Sequence, residues 1–264
     1  MSSQNPSADS AQSQKNPEMQ SIGLNFTQWQ EAVEAAIATN QLSVVGEIRG
    51  GQLIQFTDPS GAQINILAVE PFATFIGFTG ITQNFAHVSM VNDVLALLEV
   101  VDPRGNPVID LAANLAQGPL LADQETQLWQ QIGITAMGLT VHRYNTAADY
   151  EAENGTQPGA FESEGAGIIT SGSGSTAPHP GARFSARVLE AQWLHNQLTG
   201  EKFMHLVMDG EIPFDLCLPG NRGELPSKGT ILAGTALLTA SILTPMSGCG
   251  SGGCGCGSGG CGGH

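Results

Sequence analysis

Four of the five cysteines lie within the last sixteen residues of this 264-residue chain, and the last residue is a histidine. Cys249-Gly-Ser-Gly-Gly-Cys254 and Cys256-Gly-Ser-Gly-Gly-Cys261 are identical units joined by Gly255, with His264 closing the chain. Four thiols and an imidazole exceed the four nitrogen or sulfur donors that a tetrahedral soft-metal site requires, so zinc or copper(I) is the natural guest. The spacing differs from that of a zinc finger, which uses a two-residue Cys–Cys knuckle, and the spacers offer no side chain to pack around an ion. Structural zinc is worth about 10–16 kcal/mol in finger peptides, including the folding it drives. Ordering a glycine-rich backbone costs about 1–2 kcal/mol per residue and more at glycine. Terms of similar size describe a labile thiol cluster at Cys249, Cys254, Cys256, Cys261 and His264. A Gly/Ser/Cys tail without a ligand is the competing reading. A third treats it as a substrate for modifying enzymes, because it resembles the tracts of azole-modified bacterial peptides.

Elsewhere the chemistry-bearing residues read as structural. Cys217 sits in the alternating run Phe214-Asp215-Leu216-Cys217-Leu218, where a free thiol acts as a small buried hydrophobe. His195 and His205 flank a hairpin and could face each other across two strands, but no nucleophile motif adjoins them. His87, His142 and His179 are isolated. Asp149, Glu151, Glu153, Glu162 and Glu164 cluster beside Gly155, Pro158 and Gly159. A catalytic carboxylate pair needs a rigid mount, so a solvated acidic loop is expected there, with weak calcium binding as the functional alternative. Ser163 and Ser185 have no evident base, and no glycine loop carries the Lys-Ser/Thr of a phosphate cradle. No enzyme motif emerges.

The elements that must position these groups are mostly strands. A helix is expected from a Thr27/Gln30 capping box to about Asn40, with Trp29, Val33, Ala36 and Ile37 on one stripe. Strands follow at 43–48, 52–57, 62–69, 74–79, 94–101 and 108–115. Gly50-Gly51, Asp58-Pro59-Ser60-Gly61 and Asp102-Pro103-Arg104-Gly105 mark the turns. Residues 122–138 are ambiguous: Trp129, Ile132 and Met137 fit a second short helix that Gly133 and Gly138 weaken. A strand at 139–144 follows, and four more lie at 184–194, 202–208, 212–218 and 230–243, with Asp209-Gly210 as a hairpin signal. The fold class is mainly β, built of antiparallel sheets with one or two short helices. An OB-like or barrel-like closure of the C-terminal unit would remove its sheet edges.

Five segments result. Residues 1–22 read as a disordered Ser/Gln/Asn-rich lead-in without a secretory signal, and 23–145 as a β-rich unit opening on a helix. Residues 146–182 form an acidic, then Gly/Ser-rich linker, 183–244 an antiparallel unit and 245–264 the thiol tail. Only 12% of residues are charged, and 9 Lys and Arg against 24 Asp and Glu leave a formal net charge of −15. The lysines are Lys15, Lys202 and Lys228, so no cationic groove exists for nucleic acid and no basic patch for an anionic membrane. No apolar run reaches spanning length. The expected setting is the reducing cytoplasm.

Phe56-Thr57-Asp58-Pro59-Ser60-Gly61-Ala62, Arg187-Val188-Leu189-Glu190, the run Asn196-Gln197-Leu198-Thr199-Gly200-Glu201-Lys202-Phe203 and the stretch from Pro226 to Thr235 resemble a loose set of uncharacterised bacterial proteins of similar length. The resemblance spans about two-thirds of the chain and implies a shared fold, with no catalytic assignment. The functional expectation is a non-enzymatic β-rich binding or scaffold protein that engages a protein or small ligand, with the tail as an accessory. The alternatives are a soft-metal handling protein and an enzyme of unidentified type, whose pocket would be assembled from residues distant in sequence.

Overall fold

The computed structural model describes residues 16–172 and 174–243. The five tail residues named above, Cys249, Cys254, Cys256, Cys261 and His264, lie outside these residues. Among the described residues the chain is mainly β, with two sheets and short helices.

The first sheet runs β1(Ser43–Ile48), β2(Gly51–Thr57), β3(Ala62–Leu67), β4(Ala73–Phe78), all antiparallel neighbours. Arg49 and Gly50, both at positive φ, make the two-residue turn after Ile48, one position earlier than the Gly-Gly pair suggests. At Asp58-Pro59-Ser60-Gly61 the Gly61 amide donates to the Asp58 carbonyl and Gly61 takes φ +93°, which closes the hairpin through a one-residue bulge. Asp102-Pro103-Arg104-Gly105 repeats this turn, with Gly105 at φ +86°.

The second sheet holds β5(Asn84–Met90), β6(Leu95–Val101), β7(Pro107–Leu115), β8(Gln127–Tyr144), β9(Phe161–Ser163), β10(Gly181–His195), β11(Lys202–Asp209), β12(Pro213–Pro219) and β13(Ile231–Ile242). Its ladders close on themselves twice. One ring runs β8-β5-β6-β7-β13 and the other β8-β12-β11-β10-β13, and both use the long antiparallel β8–β13 ladder as a wall. Successive stretches of that ladder serve each ring: β5 pairs with the start of β8, and β12 joins farther along at Thr135–Met137. The closing contacts β8–β12 and β7–β13 are the two parallel ones; the other ladders are antiparallel. Ring closure of the C-terminal strands therefore borrows β8 from the unit expected at 23–145.

Period-two alternation sends Ile132, Ile134 and Ala136 of β8 and Leu232, Ala236, Leu238 and Ala240 of β13 inward, into one core continuous through both rings. Alanines at 86, 96, 113, 182 and 186 fit the narrow interior beside Phe161, Phe184 and Phe214. A second core lies outside the wall. There Met137, Phe203 and Cys217 meet Phe56, Ile64, Ile76 and Phe78 of the first sheet and Met19, Ile22 and Leu24 of the N-terminal segment.

Several expectations are corrected. Residues 17–21 form helix α1(Pro17–Ser21), capped by Asn16, where composition predicts disorder; Met19 and Ile22 are wholly buried, and burial of that order outweighs a polar average. Helix α2(Trp29–Ala38) is capped by a Gln28/Glu31 box, one residue later than expected. Residues 127–138 are strand because both edges of β8 find partners, and strand pairing overrides the helical spacing of Trp129, Ile132 and Met137. Following the short α3(Gly118–Leu121) and preceding β10, the expected acidic linker contains two helices: α4(Ala147–Asn154), with a Thr146/Asp149 capping box and Gly155 at φ +73°, and α5(Glu164–Ser171), capped by the Ser163 hydroxyl. Among the described residues no helix is long and apolar enough to cross a membrane.

Candidate functional site

The β11–β12 hairpin carries the densest chemistry. Its inward positions, Met204, Leu206, Met208, Phe214, Leu216 and Leu218, fill the ring, so the intervening His205, Asp215 and Cys217 face outward under the first sheet. His205 stands opposite Cys217 in register, and its Nε2–H donates to Asp215 Oδ1 over 2.6 Å. Its Nδ1 lies 3.2 Å from the Gln192 amide nitrogen on β10, and Phe78 covers the ring at a centroid distance of 5.2 Å. Asp215 accepts three further bonds: from the Ile81 amide at 3.1 Å, the Thr82 amide at 3.0 Å and the Thr82 hydroxyl at 2.5 Å. Gly80 packs so tightly on this carboxylate that a Cβ there would collide with it.

Burial by itself would push the Asp215 carboxyl up, but hydrogen bonds from His205, Thr82 and the Ile81 amide outweigh it and hold the group below its usual value. The Cys217 thiol is driven well above its ordinary value by burial, with the Asp215 charge adding to the effect. A nucleophilic cysteine needs thiolate character and a base aimed at sulfur. Here the thiol is held protonated and both imidazole nitrogens already face other side chains. Asp215 is wholly buried and His205 is 2% exposed. The group acts as a polar staple: it fastens the crossover between β4 and β5, and so the first sheet, to the ring wall.

A similar device joins three distant parts of the chain. Asp58 Oδ2 accepts from the Gln197 amide at 2.8 Å and the Leu198 amide at 3.3 Å, while Asn196 Nδ2 donates to the Ile22 carbonyl and the Thr199 hydroxyl to that of Gly23. The Asp-Pro-Ser-Gly turn and the Asn-Gln-Leu-Thr-Gly hairpin therefore meet in space, binding the first sheet and the N-terminal segment to the β10–β11 corner.

The other sequence candidates stay apart. His195 pairs with Lys202 rather than with His205, which lies opposite Gln192 and Cys217. Ser185 accepts the Gly159 and Ala160 amides, and Ser163 those of Ala112 and Ala166. Of the acidic group, Asp149 caps α4, and Glu164 lies 3.9 Å from His179 on an open cleft of about 680 Å³. Among the described residues no group of three or more His, Cys, Asp or Glu could hold a metal ion.

One surface feature carries no sequence signature. His87 of β5 faces two residues of β8, Leu128 and Trp129, because the register slips there. Trp129 takes φ +54°, a left-handed conformation that is a genuine outlier for a bulky residue. Its amide donates to His87 Nδ1 at 3.1 Å, its ring meets the His87 ring edge to face, and it rests against Gly105 of the second Asp-Pro turn. The bulge holds Leu128 and Trp129 outward at 60% and 50% exposure, with Phe85 at 42% on the same wall. Bulges re-aim side chains in this way.

No protein-family model, no curated protein and no solved structure matches the chain.

Proposed function

We propose that this protein is a non-enzymatic binding module whose working surface is the outer wall of the first ring around the β5–β8 bulge. The observation that carries the reading is Trp129. A backbone conformation that costs on the order of 1–3 kcal/mol is kept in order to present an indole and a leucine to solvent. Large aromatic side chains in the open are the usual anchors of interfaces. By contrast, the titratable side chains with the chemistry of an active site, His205, Asp215 and Cys217, are sealed under the first sheet and engaged in holding it. A cytoplasmic placement, which keeps the thiols reduced, goes with this reading.

Capture from native lysate, compared between the wild type and a Leu128→Ser/Trp129→Ser variant, tests it. A partner retained by the first and lost by the second is expected; equal capture by both removes the reading. Both residues are at least half exposed, so the variant is expected to keep the wild-type far-ultraviolet circular dichroism.

A second reading rests on the four thiols and the imidazole of the tail: storage, transfer or sensing of zinc or copper(I) by Cys249, Cys254, Cys256, Cys261 and His264. The described chain leaves β13 at Leu243, whose amide donates to Gln131, two residues from Trp129. Leu243 thus lies at the same end of the fold as the bulge.

A further inference from the structure

The charges around the bulge are mostly negative, and their spacing says what a partner must carry. On the outer face of the first ring His87 of β5 stands opposite Glu99 of β6, and Glu99 opposite Asp110 of β7. Asp110 is exposed and Glu99 half-buried. Carboxylates directly opposed on neighbouring strands repel, a cost that a cation above them would relieve. Exposed Asp123 and Glu125 lead into β8, and Asp102 lies in the turn that supports Trp129. Two arginines stand beside them, Arg104 in that same turn and Arg49, which pairs with Asp93 at 2.7 Å and also feels the Asp123 charge, while Lys202 and Lys228 belong to the second ring and its approach.

Resting on the reading of this wall as a binding surface, we infer that its partner is an extended basic polypeptide segment, with an apolar or aromatic side chain on Phe85, Leu128 and Trp129 and a lysine or arginine over Glu99 and Asp110. Neighbouring strands are about 4.8 Å apart, so from Leu128 on β8 to the strands of Glu99 and Asp110 is about 10 and 14 Å. An extended segment covers about 3.3 Å per residue, which puts the basic residue three or four positions from the apolar anchor. The surrounding carboxylates also guide such a segment to the wall, so salt slows its association.

The test uses the full chain and fluorescein-labelled short peptides, read by anisotropy. The peptides share one tryptophan anchor and carry, three and four residues on, two lysines, two glutamines or two glutamates. The lysine peptide is expected to bind best and to weaken as salt is raised. Glu99→Gln/Asp110→Asn should weaken it about tenfold without affecting the glutamine peptide, and Trp129→Ala should weaken both. If the glutamine peptide binds as well as the lysine peptide and still depends on Trp129, the charge inference is overturned and the surface reading survives. If no peptide responds to Trp129→Ala while lysate capture does, the partner is not a basic peptide. If neither responds, the surface reading has failed as well.

Discussion

Replacing Asp215 with alanine removes one carboxylate and strands four donors: His205 Nε2–H, the Ile81 and Thr82 amides and the Thr82 hydroxyl. Each buried donor left without a partner costs about 1–3 kcal/mol, so the unrelaxed sum approaches the whole stability of a domain, about 5–15 kcal/mol. Water entering the space of the lost carboxylate recovers part of this. The net expectation is about 3–5 kcal/mol, the upper end for breaking a buried hydrogen-bond network. Asp215→Asn should cost less, about 1–3 kcal/mol, since one oxygen remains to accept while the new amide group confronts two of the donors. Urea unfolding followed by tryptophan fluorescence and far-ultraviolet circular dichroism measures both. Thr82→Val completes a double-mutant cycle in which coupling to Asp215 should be evident, because the two groups bond directly. A loss below about 1 kcal/mol for Asp215→Ala, or additivity with Thr82→Val, would refute the staple, since either result means that the crossover is fastened by other contacts.

The same carboxylate makes stability depend on acid. Its folded-state value is depressed, so its contribution is complete above the unfolded carboxylate value of about 3.9 and is lost as pH falls through the lower folded value; the stability difference between wild type and Asp215→Asn should shrink below about pH 4. Cys217 should resist iodoacetamide in the native protein and react only on unfolding, so native labelling at the rate of a free thiol would contradict its burial. Asp58→Ala should cost about 1–3 kcal/mol and raise hydrogen exchange at Gln197 and Leu198, whose amides lose their acceptor. Purified full-length protein should carry zinc or copper that is lost on truncation after Met246, and unchanged metal content would dispose of the tail as a ligand set.

Much of the molecule is written locally. The two Asp-Pro-x-Gly turns, the hairpins they close and the alternation of β10 to β13 follow from φ preferences and period-two burial, which neighbours in sequence set. Asp215, alone among apolar residues at 214–218, is itself a readable sign of a buried charge in need of partners. The identity of those partners is not readable: Thr82 and Ile81 lie more than a hundred residues away, and only the first sheet folding back over the wall delivers them. The sequence alone marks Asp58-Pro59-Ser60-Gly61 and Asn196–Gly200 as turns, but only the tertiary fold brings them together. Strand 127–138 and helix α1 were decided by partners and burial, against local spacing and composition. The conformation of Trp129 has no local cause, since it comes from fitting two residues of β8 opposite one of β5, and register between distant strands is a property of the closed ring.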